Sequence, residues 1–139
     1  MSEQKTLAVS SKIFPALRYQ DASAAIEWLC RAFGFEQQLV IPGPNGTISH
    51  AQLKLGADYI MLGSSKDDRL GMKSPRELGG VTQSIYVCIG DVDAHHDRAK
   101  AAGAEIVVPL QNTDYGSREF SARDPEGHLW HFGTYLPEG

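Results

Sequence analysis

The residues with most chemistry to offer are five histidines, a Tyr-Gly-Ser-Arg run and a few inward-reading apolar side chains. His131 stands in Leu129-Trp130-His131-Phe132-Gly133, an aromatic-rich run with the alternation of a strand. Trp130 and Phe132 share one face, which belongs to the core. Leu129, His131 and Gly133 share the other, so the imidazole points to a cavity or to solvent. It either contacts a ligand, with a nitrogen that can exchange a proton near neutral pH, or hydrogen-bonds a neighbouring strand. His50 lies beside Gln52 on the polar face of its own strand and reaches either a cavity or water. His128 follows a turn and reads as structural. His95 and His96 are adjacent on a helix and read as surface residues, at most one of them packing inward. In Tyr115-Gly116-Ser117-Arg118, Gly116 gives a tight backbone. Tyr115 and Arg118 either grip a ring and an anionic group or are a surface Tyr and a salt-bridged Arg. Phe14, Met61 and Tyr86 offer an apolar floor for a flat organic ligand, or else pack against a second copy.

Other chemistries find no pattern. There is no Gly-x-Ser-x-Gly elbow, and Gly43-Pro44-Asn45-Gly46 is a hairpin turn rather than a phosphate-cradling loop. Cys30 and Cys88 fall on a helix and a strand without zinc spacing and read as reduced thiols packed like small hydrophobes. No cofactor is expected. A net charge of -4 without a Lys/Arg run argues against nucleic acid and anionic membrane as partners. No apolar run approaches membrane-spanning length and the first residues lack a signal-peptide core, so cytoplasm is the default expectation. A chain of 139 residues, 42% apolar and 22% charged, can bury one domain's core without staples.

Punctuation and periodicity place the elements. Lys12 to Gln20 reads as a strand, with Leu7-Ala8-Val9 a possible short edge strand before it. Asp21 caps a helix whose stripe is Ala25, Ile26, Leu29, Cys30 and Phe33, and Gly34 ends it. Strands follow at Phe35–Ile41, Thr47–Leu55 and Tyr59–Gly63. Residues 64–80 form a polar linker with one short helical turn at most, its charges solvated. A strand at Val81–Gly90, an Asp91-capped helix through Ala102 and strands at Ala104–Leu110, Ser117–Arg123 and the His131 run complete the chain. The second set repeats the first at an offset near seventy: Asp21 and Asp91, Gly46 and Gly116, Ile60-Met61-Leu62 and Trp130-His131-Phe132. Such a spacing, sustained through a helix, two loops and a strand, marks a duplication. The expected organisation is a single domain of two tandem βαβββ modules, about 12–63 and 81–136.

With that duplication, the chain resembles the vicinal oxygen chelate superfamily, in its glyoxalase/bleomycin resistance/dioxygenase branch. The resemblance rests on Leu17-Arg18-Tyr19-Gln20-Asp21-Ala22 leading into Ala32-Phe33-Gly34-Phe35-Glu36. It rests equally on Asp91-Val92-Asp93-Ala94, Ala101-Ala102-Gly103-Ala104, Tyr115-Gly116 and Asp124-Pro125-Glu126-Gly127-His128. It implies an α+β fold in which paired modules form curved mixed sheets around a cup, often completed across a homodimer. In metal-dependent members four ligands sit on the cup floor; those positions fall here on Phe14, Met61, Ser84 and His131. Only His131 is a good ligand, so no resident metal is expected. The expected function is metal-independent binding of a small organic molecule, of the antibiotic-resistance kind. The alternative is a metal-dependent lyase, isomerase or dioxygenase using His131, His50 and Glu119 or a partner chain's residue. A module that only joins subunits is a third possibility. Bleomycin is disfavoured as the ligand: it is large and cationic, whereas the inward positions read as neutral or basic.

Overall fold

The computed structural model describes residues 11–137; the Leu7-Ala8-Val9 expectation lies outside them. The elements are β1 (Ala16–Tyr19), α1 (Ala22–Phe33), β2 (Glu36–Pro42), β3 (Ile48–Leu55), β4 (Asp58–Ser64), α2 (Pro75–Leu78), β5 (Ser84–Cys88), α3 (Val92–Ala101), β6 (Glu105–Asn112), β7 (Arg118–Arg123) and β8 (Leu129–Gly133), with a 3-10 turn at Pro44–Gly46. They form two four-stranded mixed sheets, ordered β1-β4-β3-β2 and β5-β8-β7-β6. In each, the first strand runs parallel to the last and the other pairings are antiparallel.

The repeat reaches down to the register. Ala16 pairs with Met61 across β1 and β4, and seventy residues on Tyr86 pairs with His131 across β5 and β8. Gln52 sits opposite Met61 and Leu39 opposite Gln52; Ser121 sits opposite His131 and Val108 opposite Ser121. Even the bulge recurs, between Gln37 and Leu39 and between Ile106 and Val108. Gly63 and Gly133 hold equivalent places, and a Cβ on Gly63 would meet the Ser49 carbonyl oxygen at 3.0 Å.

Both helices start as the caps predict. The Asp21 carboxylate accepts from the Ala24 amide and the Asp91 carboxylate from the Ala94 amide. Gly34, at φ 83°, ends α1 in the left-handed region. The buried side of α1 carries Ala25, Ile26, Trp28, Leu29, Ala32 and Phe33, whereas α3 buries only Val92 and Ala99. So thin a stripe relies on neighbours. Trp28 Nε1 donates to the Ala102 carbonyl at 2.8 Å, and the Arg98 guanidinium donates to the Arg31 and Cys30 carbonyls at the C-terminus of α1. Phe33 carries the contact onward, its ring 4.7 Å from Phe132 and 5.2 Å from Trp130.

Several expectations change. The two opening strands are shorter than the sequence suggests, and Phe14 precedes β1. The linker contains α2, the one short helical turn expected, with a Ser74–Glu77 capping box, but its charges are partly engaged: Asp68 pairs with Arg18 at 3.2 Å, and Arg76 approaches buried Glu126 at 4.0 Å. Cys88 is exposed rather than packed.

The histidine pair is not a surface feature. His95 packs 4.4 Å from Phe132 and 6.0 Å from Phe33, and His96 stands edge-on to Phe120 at 5.0 Å. The buried Nε2 of His95 has no hydrogen-bond partner. Burial, and then the charge of Arg98, pull its pKa from 6.5 to about 4. The unfolded chain therefore binds this proton at a higher pH than the folded one. The stability due to neutral His95 is complete above about pH 6.5 and is lost as pH falls towards 4. Urea unfolding measured between those limits is expected to show a shallower pH slope in His95→Leu than in the parent chain; an unchanged slope would remove His95 from the account.

The Asp124-Pro125-Glu126-Gly127 turn does more than reverse the chain, for both carboxylates are buried. Asp124 accepts from the Tyr19 hydroxyl at 2.7 Å, Trp130 Nε1 at 3.1 Å and the amides of Glu126 and His128. Glu126 accepts from the amides of Gln20 and Asp21 at 2.7 and 2.8 Å, just ahead of α1. His128 Nε2 meets the Arg18 carbonyl at 2.8 Å, so it is structural, as expected.

Candidate functional site

His131 opens onto a recess of about 610 Å³ lined by Tyr86, Tyr115, Glu119, His131, Tyr135 and Pro137, all from the second half of the chain. Alternation on β5, β7 and β8 creates it. Phe120, Ala122, Trp130 and Phe132 turn into the core, leaving Tyr86, Glu119, Ser121 and His131 on the opposite face. His131 Nδ1 lies 2.6 Å from the Ser121 hydroxyl, which fixes the ring's orientation. The Tyr86 hydroxyl donates to the Tyr135 carbonyl, and the Tyr115 hydroxyl donates to Glu119 Oε1 at 2.7 Å. Burial, with the charges of Cys88 and Glu119, raises the Tyr86 phenol pKa; the Glu119 hydrogen bond does the same for Tyr115. Both phenols therefore stay neutral donors at physiological pH.

Gly133 makes room for this arrangement. A Cβ there would sit 2.6 Å from Glu119 Cγ and 2.9 Å from the Tyr86 hydroxyl. Gly133→Ala is expected to cost about 1–3 kcal/mol through overpacking and to displace both side chains. Urea denaturation checks the first effect and ligand titration the second.

The structure brings together His131, Tyr86 and Tyr115 and separates the other candidates from them. Arg118 lies on the core side of β7 with Phe120, its guanidinium held by both Asp93 carboxylate oxygens at 2.7 and 3.2 Å and by Asn112 Oδ1. It stabilises α3 against β7 rather than gripping a ligand beside His131. Ser84 pairs with Leu129 and lines a different recess, with Pro15, Leu17 and His128. His50 and Met61 line another, with Leu70 and Met72; His50 Nε2 meets Gln52 Oε1 at 3.0 Å. Phe14 stands 6.4 Å from Tyr59 with the Lys12 ammonium 5.5 Å from its ring. Glu119 corrects the expectation of a neutral or basic surface, and alternation along β7 was the available signal. Tyr135, just beyond β8, had none.

These features define a duplicated βαβββ protein with a polar, aromatic recess on the open face of its second sheet. Residues 13–132 match the model of the Glyoxalase/Bleomycin resistance protein/Dioxygenase superfamily, and the chain belongs to that family. An uncharacterized protein of Mycobacterium bovis is 35% identical over 132 residues, which span 94% of this chain and 87% of that protein. Among solved structures, TioX from Micromonospora sp. ML1 superposes with a TM-score of 0.74 at 39% identity, covering 91% of this chain and all (100%) of that one. The fosfomycin resistance protein FosX from Mesorhizobium loti shares the fold, with a TM-score of 0.66 at 12% identity over 92% of this chain and 94% of that one.

Metal-dependent members of the superfamily would place an ion among the positions of Phe14, Met61, Ser84 and His131. One imidazole, one hydroxyl, a thioether and a phenyl ring do not make a binding set for a divalent ion. Among the described residues, no three His, Cys, Asp or Glu side chains converge to hold one. Among the described residues of a single chain, those at these positions do not fit a resident metal. No helix among the described residues is long and apolar enough to cross a membrane.

Proposed function

We propose that this chain binds a small organic molecule in the His131 recess, without a catalytic metal, and acts by sequestering it. The observation that carries this reading is the composition of the recess: three tyrosines, one imidazole and one carboxylate around a space the size of a drug-like ligand. Apolar burial supplies the affinity and the placed polar groups the orientation. The recess is open, and the matching face of the first sheet presents Leu39 and Ile41, 39% and 44% exposed, in line with Met61. A second copy laying that face over the recess would complete a cup, which makes a homodimer the proposed working unit.

Thermal shift against a panel of metabolites and antibiotics tests the binding reading. A ligand at one hundred times its Kd adds about 2.7 kcal/mol of stability, which the melting temperature registers. That gain is expected to disappear in Tyr86→Ala. A panel in which no compound raises the melting temperature would contradict the reading and favour a module that only joins subunits.

A metal-dependent lyase, isomerase or dioxygenase is the second reading, favoured by Glu119 and His131 lining one recess. Metal analysis of untagged protein, repeated after adding Zn²⁺, Ni²⁺ and Fe²⁺, separates the two. Stoichiometric metal that is lost in His131→Ala would favour the second reading.

A further inference from the structure

The geometry points to an organic cation as the ligand class of the His131 recess, an inference that rests on the binding role proposed above. Three observations carry it. First, the tyrosines form walls rather than a stack. Tyr135 stands 5.9 Å from Tyr115 at 86° and 6.4 Å from Tyr86 at 60°. Rings set at such angles do not cover one another's faces by stacking, and an electron-rich face left open to the recess suits a quaternary or ring-bound nitrogen cation.

Second, among the described residues that line the recess, Glu119 is the only Asp, Glu, Lys or Arg. Arg118, its neighbour in sequence, is on the opposite face and neutralised by Asp93. An anion entering the recess would meet a carboxylate with no cation to offset it.

Third, the duplication supplies an internal comparison. At the matching places of the first unit, Tyr86 is replaced by Ala16, His131 by Met61, Glu119 by His50, Tyr115 by Asn45 and Tyr135 by Ser65. That unit keeps the same register, bulge and glycine without any of these side chains. The fold therefore does not need the cage, and a ligand held there accounts for it. The space of about 610 Å³ admits a bicyclic aromatic cation.

The test is isothermal titration of the full chain at low salt and about pH 8, above the ordinary imidazole range. Three matched bicycles serve as probes: N-methylquinolinium, neutral 2-methylquinoline and quinoline-2-carboxylate. The cation is expected to bind about 10-fold more tightly than the other two. Glu119→Gln, which keeps an acceptor for the Tyr115 hydroxyl, is expected to erase most of that preference by weakening the cation more than the neutral probe. Tyr135→Leu is expected to weaken both, with melting temperatures confirming that each variant is folded. Equal affinity for all three probes, preference for the carboxylate, or a preference that survives Glu119→Gln would overturn the cation assignment. If the neutral or anionic probe binds and is lost in Tyr135→Leu, the recess remains a binding site for another class. If none of the three binds, the inference and the binding role fall together.

Discussion

Asp124→Ala is expected to remove about 3–5 kcal/mol of stability, because it strips the acceptor from two buried side-chain donors and two amides at once. The Tyr19 hydroxyl and Trp130 indole both end on Oδ2, and the amides of Glu126 and His128 both end on Oδ1. Burial, the main cause that raises the Tyr19 phenol pKa, persists in the variant, so the phenol has no way to relieve the loss by ionising. Against a typical stability of roughly 5–15 kcal/mol for a small domain, such a loss would bring the chain close to unfolding at ambient temperature. Tyr19→Phe separates the cross-unit bond from the rest: paired with Asp124→Ala in a double-mutant cycle, it is expected to show a coupling of about 1–2 kcal/mol. Urea denaturation gives both numbers. A loss below about 1 kcal/mol for Asp124→Ala would mean that the turn is not the bond between units described here.

The second large effect is expected at Phe33, fully buried at the end of α1. Its ring touches Trp28 on its own helix, Trp130 and Phe132 on β8, and His95 on α3. Phe33→Ala empties a site between α1 of the first unit and α3 and β8 of the second, and should cost about 3–5 kcal/mol; Phe33→Leu, which refills most of the volume, should cost about 1–2 kcal/mol. Because the cavity opens between the units, Phe33→Ala should also broaden the unfolding transition and lower its m-value as the two halves uncouple. A single transition of unchanged slope would show that the units are held together elsewhere.

The duplicated frame is legible in the sequence because its determinants are local. Asp21 and Asp91 cap their helices with their own side chains, Gly34 ends a helix with its own φ, and alternation along β3 and β8 sorts Leu53 from His50 and Trp130 from His131. The site was legible only where alternation decides it. His131 and Tyr86 follow from parity. Parity along β7 also groups Arg118 with Phe120 and frees Glu119, but the chemistry of a loop-edge arginine argues the other way. Its partner Asp93, 25 residues distant, leaves no local mark. The carboxylates of Asp124 and Glu126 look like turn residues because their donors, Tyr19, Gln20 and Asp21, lie more than a hundred residues earlier in the chain. His95 is hidden for the same reason: α3 has too thin an apolar stripe to announce an inward face, and Phe33 and Phe132 supply one from elsewhere.

Calorimetric titration of the compound giving the largest thermal shift, before and after exhaustive chelation, tests the binding site most directly when run on the parent chain and on Tyr86→Ala. The predicted result is one affinity in both metal conditions and its loss in Tyr86→Ala, which gives the second unit the alanine the first already carries. Binding that vanishes on chelation and returns with a divalent ion, or that ignores the change at Tyr86, would contradict the account.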